Sequence, residues 1–342
     1  MKTFTKKFLC LLTGLVLAAG MLTGCSDEGN PDGGSSSGAS EAIDIRMAVI
    51  NGPTGVGAVN LWANQDNGTA QNRYSIEMVT TPDTAINKLA AGEVDIAAVP
   101  TNLAAALSAK TDGSVQVLAV NTLGVLYILE NGETIQTIDD LKGKTIYSTG
   151  QGSNPEYVLN YVLEKNGLIP GEDVTIEFLT ENQELATRLL ETPGAVAMVP
   201  EPLVTTIKTQ NPSIYTALSM TEEWDKVANG ESSLMMGCIV ANKEFVAAHP
   251  EGIRTFLWEY EASIERANAM RPETAKLCVE YGIIDNELVA ENAIVGCNLV
   301  YIEGEDMKEQ LSGYYQVLMD ANPQSIGGEM PDDAFYYLGE TA

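Results

Sequence analysis

The chain has 342 residues, of which 45% are hydrophobic and 6% aromatic, and its formal net charge is -28. This length is sufficient for two globular domains. So strong a negative charge argues against nucleic acid and against an anionic lipid surface as partners.

The N-terminus carries the features of an export signal. Three lysines precede an apolar stretch, residues 8–19, that is too short to span a membrane. The sequence LTGC follows at 22–25, and a small residue before cysteine at this place resembles the signal of bacterial lipoproteins. The resemblance implies that residues 1–24 are a signal peptide removed before Cys25, whose thiol then carries a lipid. A plain secretory signal with an incidental cysteine is the alternative.

Residues 25–42 are rich in glycine, serine and acidic residues and lack a hydrophobic pattern, which is typical of a flexible tether. No later apolar stretch reaches the roughly 18 residues that a membrane span needs. We therefore expect an extracytoplasmic body that is held at the membrane by the Cys25 lipid only.

The first part of the body alternates predicted strands with predicted helices. Runs rich in β-branched residues indicate the strands, and helix-starting residues before periodic apolar stretches indicate the helices. The predicted elements are strand 45–50, helix 56–65, strand 74–80, helix 82–91, strand 96–99 and a helix from about Leu103.

The middle of the chain repeats this order about 100 residues later. The predicted elements are strand 145–147, helix 155–165, strand 174–179, helix 183–191, strand 195–199 and a helix from Leu203. The two third strands also end in similar sequences, VPTNLAAAL at 99–107 and VPEPLVTTI at 199–207. A run of elements in one order and at one offset indicates an internal duplication.

Two β-rich runs, 117–129 and 233–240, are placed to cross between the repeated halves. The remainder after residue 242 is mostly helical, with helices predicted at about 250–270, 272–281, 285–296 and 306–320. We therefore predict an α/β fold with two lobes, each a mainly parallel sheet flanked by helices, joined by two hinge crossings. Lobe I takes residues 43–124 and 234–342, and lobe II takes residues 125–233.

The predicted binding site lies in the cleft between the lobes. Ligands of open α/β sheets sit at the carboxyl ends of strands, and domain interfaces favour small-molecule pockets. Four loops meet this condition: 51–57, 100–102, 148–153 and 200–202. With the two crossings they give the candidate ligand-binding residues Asn51, Pro53, Thr54, Val56, Thr101, Asn102, Thr122, Ser148, Thr149, Gly152, Ser153, Glu201, Gly237 and Cys238.

Structural roles are open alternatives for several of these candidates. Thr101 and Asn102 also suit the cap of the next helix. Glu201 also suits the first turn of its helix, where an acidic side chain complements the helix dipole. The loop glycines also suit turns that meet only water.

The four loops contain no arginine or lysine, the residues that most often capture carboxylate, sulfonate or phosphate. Helix N-termini bind anions without arginine, so this absence alone does not decide the ligand charge. We expect a neutral or cationic solute in preference to an anion, with aromatic or heterocyclic character an option. Trp62, Tyr127, Tyr157 and Trp224 are candidates for stacking on it, with core packing as their alternative role.

The sequence argues against a metal site, a cofactor and catalysis. Cys238, Cys278 and Cys297 have no CxxC spacing, and His249 is the only histidine. We expect buried free thiols, with one disulfide as the alternative. No nucleophile–base set or GxSxG elbow is present either.

Five motifs together resemble bacterial ABC-transporter substrate-binding lipoproteins of the type II periplasmic-binding-protein fold. They are LTGC (22–25), INKLAAGEVDIAAVPTNLA (86–104), IDDLKGKTIYSTGQGS (138–153), AVAMVPEP (195–202) and IVANKEFVAAHPEGIRTFL (239–257). They fall nearest the nitrate, sulfonate, taurine and thiamine-precursor branch. The resemblance implies a protein, expected to be monomeric, that captures a small solute and delivers it to a permease with a cytosolic ATPase. A ligand-presenting sensor is the alternative, and a secreted enzyme is a weaker one.

Overall fold

The structure is a computed structural model that describes residues 42–339, which belong to one compact unit. The predicted signal peptide, Cys25 and the predicted tether up to residue 41 lie outside the described residues.

Strands and helices alternate through most of the described residues. In chain order they are β1 (Asp44–Ile50), α1 (Pro53–Asp66), β2 (Arg73–Val79), α2 (Pro82–Ala90), β3 (Ile96–Pro100), α3 (Thr101–Lys110), β4 (Val115–Thr122), β5 (Leu126–Glu130), β6 (Thr145–Ser148), α4 (Asn154–Lys165), β7 (Thr175–Phe178), α5 (Asn182–Glu191), β8 (Val196–Pro200), α6 (Leu203–Gln210), β9 (Tyr215–Ser219), α7 (Met220–Ala228), β10 (Gly237–Asn242), α8 (Lys243–Ala248), α9 (Pro250–Ala269), α10 (Arg271–Glu280), α11 (Glu287–Gly296), β11 (Leu299–Ile302) and α12 (Gly304–Ala321).

The strands form two sheets, one in each lobe. The six-stranded sheet has the order β11-β4-β10-β3-β1-β2, and the five-stranded sheet has the order β7-β6-β8-β5-β9. In the first, β1 runs parallel to β2 and β3, whereas β10 is antiparallel to both β3 and β4. In the second, β6 is parallel to β7 and β8, and β5 is antiparallel to β8 and β9. The sheets are therefore mixed rather than mainly parallel.

The same strand order occurs in both lobes. The order β2-β1-β3-β10-β4 in lobe I corresponds to β7-β6-β8-β5-β9 in lobe II. In each, a parallel trio is followed by one inserted antiparallel strand and then by one further strand, beyond which lobe I adds β11. The inserted strand of each lobe is the one that directly follows a crossing from the other lobe. The two-lobed α/β fold predicted from the duplicated sequence is thus confirmed, and the duplication extends to sheet topology.

The chain passes between the sheets twice, at 123–125 between β4 and β5 and at 229–236 between α7 and β10.

The predicted C-terminal helices also form, and they pack largely on lobe I. The Ser263 hydroxyl on α9 donates to the Gly57 carbonyl on α1 at 2.7 Å. Strand β11 adds to the free side of β4. Hydrogen bonds also join this part of the chain to lobe II, from Gly296 at the end of α11 to Tyr127 and from Asn322 just after α12 to Tyr157.

Two helix starts differ from the prediction. Helix α1 begins at Pro53, three residues before the predicted start, because proline fits the first helical position. Helix α3 begins at Thr101, directly after β3. The prediction missed β9, α7, α8 and β11, all of which are short. None of the helices in residues 42–339 has both the length and the apolar character needed to cross a bilayer.

Candidate functional site

A cavity of about 280 Å³ lies between the lobes, at the carboxyl ends of β1 and β3 and facing the start of α4. Lobe I supplies most of its wall, and lobe II supplies the turn that begins α4. Its lining residues are Ile50, Asn51, Pro53, Thr54, Pro82, Pro100, Asn102, Leu103, Thr122, Val125, Ser153, Asn154, Pro155, Met236 and Gly237. This is the position that strand topology favours for a ligand.

The cavity brings together half of the residues predicted from sequence. These are Asn51, Pro53, Thr54, Asn102, Thr122, Ser153 and Gly237. They come from the ends of β1 and β3 in lobe I, from the strands β4 and β10 that flank the crossings, and from the α4 turn of lobe II. Their contact with a ligand stays a prediction.

Three predicted residues of lobe I lie outside the cavity lining. Val56 and Cys238 are fully buried in the lobe I core. Val56 is turned inward because α1 starts at Pro53, and Cys238 points away from the cavity because adjacent strand residues face opposite sides and Gly237 faces inward. The Thr101 hydroxyl donates to the Met235 carbonyl at 2.6 Å, so it ties α3 to the return crossing.

Polar groups of the glycine-rich turn after β6 form hydrogen bonds with other groups of the protein. The Ser148 hydroxyl donates to the Thr149 carbonyl at 3.1 Å, and the Thr149 hydroxyl bonds to the Asn182 side chain at 3.1 Å. The Gly152 N–H donates to the Glu156 carboxylate at 2.6 Å. Ser148, Thr149 and Gly152 therefore support the turn and lie outside the cavity lining.

Glu201 faces away from the cavity, toward the end of α11. Its carboxylate accepts hydrogen bonds from the Thr205 N–H at 3.2 Å and the Thr205 hydroxyl at 3.0 Å. It lies so close to Gly296 that a Cβ there would be 2.7 Å from Glu201 Oε1. Burial raises the pKa of Glu201 to about 7, although the Thr205 hydrogen bonds act in the opposite direction. This placement fits the structural alternative, in which Glu201 serves the first turn of α6.

Two side chains at the cavity keep buried polar atoms without a hydrogen-bond partner among the described residues. They are Thr54, through Oγ1, and Asn154, through both Oδ1 and Nδ2. Thr54 is 7% exposed and Asn154 is 4% exposed. By contrast, the neighbouring Ser153 hydroxyl donates to the Gly150 carbonyl at 2.6 Å. Ser153 was predicted from the sequence and Asn154 was not, although Asn154 directly precedes Pro155 at the same helix start.

The cavity wall is uncharged. Among its lining residues no side chain is ionisable. Three residues at the helix starts around it, Pro53, Pro82 and Pro155, carry no amide hydrogen. In α1, the N–H groups of Gly55 and Val56, which follow Thr54, both donate to the Gly52 carbonyl at 3.0 Å.

A larger groove of about 810 Å³ runs between α4 and α12. Its lining includes four acidic residues, Glu156, Glu164, Glu231 and Asp320, and one lysine, Lys165. Its walls are the sides of helices, whereas the smaller cavity lies where strands of the sheet end. We therefore take the 280 Å³ cavity as the candidate site.

The aromatic residues proposed for stacking on a ligand lie outside the cavity lining. Trp62 stacks on Tyr281 with ring centroids 4.6 Å apart, and Trp224 lies against Tyr161 at 4.3 Å. The Tyr127 hydroxyl donates to the Gly296 carbonyl at 3.2 Å. The Tyr157 hydroxyl donates to the Gly152 carbonyl at 2.9 Å. Packing and interlobe contacts, the alternative roles, account for these four side chains.

The three cysteines of the described residues are buried and unpaired, as expected, and form no disulfide with one another. Burial raises the pKa of the Cys278 thiol to about 12 and raises the pKa values of Cys238 and Cys297 as well. Within residues 42–339, no cluster of three or more histidine, cysteine, aspartate or glutamate side chains is arranged to hold a metal ion.

A family model matches residues 69–283, well over half of the chain, under the description "ABC transporter, phosphonate, periplasmic substrate-binding protein". The chain belongs to this family of ABC-transporter substrate-binding proteins. The resemblance to ABC-transporter substrate-binding proteins is thereby confirmed. A sequence search of curated proteins found no match.

Solved structures of other substrate-binding proteins share the fold. An ABC transporter protein of Parabacteroides distasonis is similar with a TM-score of 0.72 and 21% identity, over 86% of this chain and 98% of the other. The periplasmic aliphatic sulphonate-binding protein SsuA of Escherichia coli gives 0.69 and 13%, over 87% and 93%. The alkanesulfonate-binding protein SsuA of Xanthomonas axonopodis pv. citri, bound to MOPS, gives 0.60 and 16%, over 86% and 96%. At these identities the similarity concerns the fold alone.

Substrate-binding proteins of ABC importers work outside the cytoplasm and deliver small solutes to a permease. This class of function holds for the chain as a family member, and its relatives are transport proteins rather than enzymes. The ligand of this particular chain must be argued from its own cavity.

Proposed function

We propose that this substrate-binding protein is a lipoprotein that captures a small organic solute in the 280 Å³ interlobe cavity and passes it to an ABC permease. The observation that carries the proposal is the position of that cavity at strand ends of lobe I and the helix start of lobe II. A solute held there contacts both lobes at once.

Capture then depends on the two crossings. A solute that contacts both lobes favours the closed arrangement, because those contacts exist fully only when the lobes meet. The crossings at 123–125 and 229–236 are the segments that hinge motion would bend. The permease, with its cytosolic ATPase, receives the closed and loaded form.

The solute is neutral or cationic rather than anionic. The uncharged cavity wall argues against an anion, because a buried anion is strongly disfavoured without a paired cation and no side chain of the wall is cationic. Two structurally similar proteins are named as sulphonate-binding proteins, and that name describes their ligand and not the ligand of this chain.

The anchor is a lipid on Cys25, followed by the glycine- and serine-rich tether. It keeps the body within reach of a membrane permease while the body itself stays in water. A single site of attachment at the N-terminus leaves both lobes free to move.

A thermal-shift screen of the body from residue 40 onwards tests solute capture, since this is the compact unit. The library contains sulfonates, amino acids, pyrimidines, flavins and polyamines. A solute at 100 times its Kd adds about 2.7 kcal/mol of stability. We expect a neutral or cationic solute to raise the melting temperature. A rise confined to sulfonates or nitrate contradicts the charge preference.

A further inference from the structure

The unpartnered polar atoms of the interlobe cavity indicate the chemistry of its solute. An amide or hydroxyl buried without a hydrogen bond destabilises the folded state, so native proteins rarely keep such groups. Here the two orphaned side chains line one cavity and come from opposite lobes, Thr54 from α1 and Asn154 from α4. Other polar lining residues, such as Asn102 and Thr122, have partners within the protein.

Asn154 is the more informative of the two. Its side-chain amide carries one acceptor oxygen and one NH2 donor, and both are buried without a partner in the described part of the chain. The group that satisfies both at once is an adjacent donor and acceptor, as found on one edge of an amide, lactam or imide. A sulfonate or a fully ionised phosphonate offers acceptors alone, and a primary ammonium offers donors alone.

Thr54 is placed to contact the solute from the lobe I side of the cavity. Its methyl group lies against Gly237, where a Cβ would be 2.9 Å from Thr54 Cγ2. Glycine at this strand start therefore permits the close approach of α1 to β10. The hydroxyl, able to donate and to accept, remains for the solute.

We propose that the solute is uncharged and presents an amide-like donor–acceptor edge to Asn154 and a second polar group to Thr54. This rests on the proposed solute-binding function and names the solute class. The uncharged wall agrees with it, since neither a cation nor an anion finds an ionisable partner among the lining residues. The apolar remainder, with Ile50, Leu103, Val125 and Met236, suits the hydrocarbon part of such a molecule.

The first test compares probe classes by thermal shift and calorimetry at pH 7.5. The uncharged probes are acetamide, glutarimide and nicotinamide. The anions are methylphosphonate, ethanesulfonate and nicotinate, which differs from nicotinamide only at the amide. The cations are choline and putrescine.

We expect an uncharged probe to bind and its charged counterparts to fail. Binding of anions or cations in place of the amides overturns the inference about solute class and leaves solute capture standing. A flat response to every probe counts against solute capture itself, and the inference falls with it.

The second test uses variants that remove only the orphaned groups. Asn154→Leu and Thr54→Val keep side-chain size, so the unliganded protein should melt at the same or a higher temperature. Affinity for the best uncharged probe should fall about tenfold or more. Asn154→Asp, which suits a helix start, should also lose binding because its carboxylate lacks the NH2 donor.

Asn160→Leu is the matched control. Asn160 lies on the same helix, and its Oδ1 is also unpartnered in residues 42–339, but it lines the groove between α4 and α12. Its affinity for the probe should equal that of the wild type. Wild-type affinity in Asn154→Leu overturns the inference by showing that Asn154 meets water only. A loss confined to Asn160→Leu moves the site to the groove and overturns it equally.

Discussion

Gly124 on the outgoing crossing lies directly against Leu234 on the return crossing. A Cβ on Gly124 would be 2.6 Å from Leu234 Cδ2, closer than real Cβ atoms come to their neighbours. The Thr221 hydroxyl, on α7, also lies where a Cβ on Gly124 would be. The two crossings therefore form one packed unit, and a movement of either lobe must pass through this contact.

Gly124→Ala should lower stability by about 1–3 kcal/mol, because an added methyl group forces packed neighbours apart. The melting temperature of purified protein measures the loss. Thr221→Ala in the same protein removes one obstructing side chain and should recover part of it. Unchanged stability in Gly124→Ala would show that the crossings are not packed against each other.

The Glu201 carboxyl predicts a specific pH dependence. Its pKa is raised from 4.5 to about 7 by burial, so the folded state prefers the protonated form. Below about pH 4.5 the group is protonated in both the folded and unfolded states and costs nothing. As pH rises toward 7, Glu201 ionises in the unfolded state before it ionises in the folded state. The free energy of unfolding therefore falls, by about 3 kcal/mol in total.

Glu201→Gln removes this titration and keeps an oxygen that accepts from Thr205. The variant should melt close to the wild type near pH 4.5 and clearly above it at pH 8. Melting curves of both proteins at several pH values give the comparison. Parallel pH profiles would mean that Glu201 is not buried against α11.

The cysteines of the body should be unreactive while it is folded. The thiolate is the reactive form, and burial both shields the three thiols and raises their pKa values. A thiol reagent such as Ellman's should label none of them in native protein and three after denaturation. Rapid labelling of Cys238 in the native state would contradict its place in the lobe I core.

The lipid anchor predicts the behaviour of Cys25→Ser in cells. The variant should leave the membrane fraction, because the lipid is the proposed attachment. Cys10→Ser, in the apolar part of the same predicted signal, is the control and should stay membrane-bound. Retention of Cys25→Ser in the membrane fraction would refute lipid attachment at this residue.

Much of the fold was predictable because the duplicated halves repeat their strands and helices at one offset. The antiparallel insertion of β10 and β5 was not, since strand partners depend on the path of the chain between lobes. In the site, loop position found Thr54, and position on the return crossing found Gly237. It did not separate Gly237 from Cys238, because one residue along a strand reverses the direction of the side chain.

Asn154 shows a different limit of sequence reasoning. The sequence marks the start of α4 clearly, and Ser153 is the usual type of residue to choose there. The Ser153 hydroxyl donates within its own turn, whereas the Asn154 side chain is buried at the cavity with no hydrogen-bond partner in residues 42–339. Only the full set of hydrogen bonds distinguishes the two.

The most direct measurement is a crystal structure of the body with the uncharged probe that binds best. We predict closed lobes with the probe between Thr54 and Asn154 and with its amide edge on the Asn154 side chain. A probe bound in the groove between α4 and α12, or one held by lobe I alone with the lobes apart, would contradict this prediction.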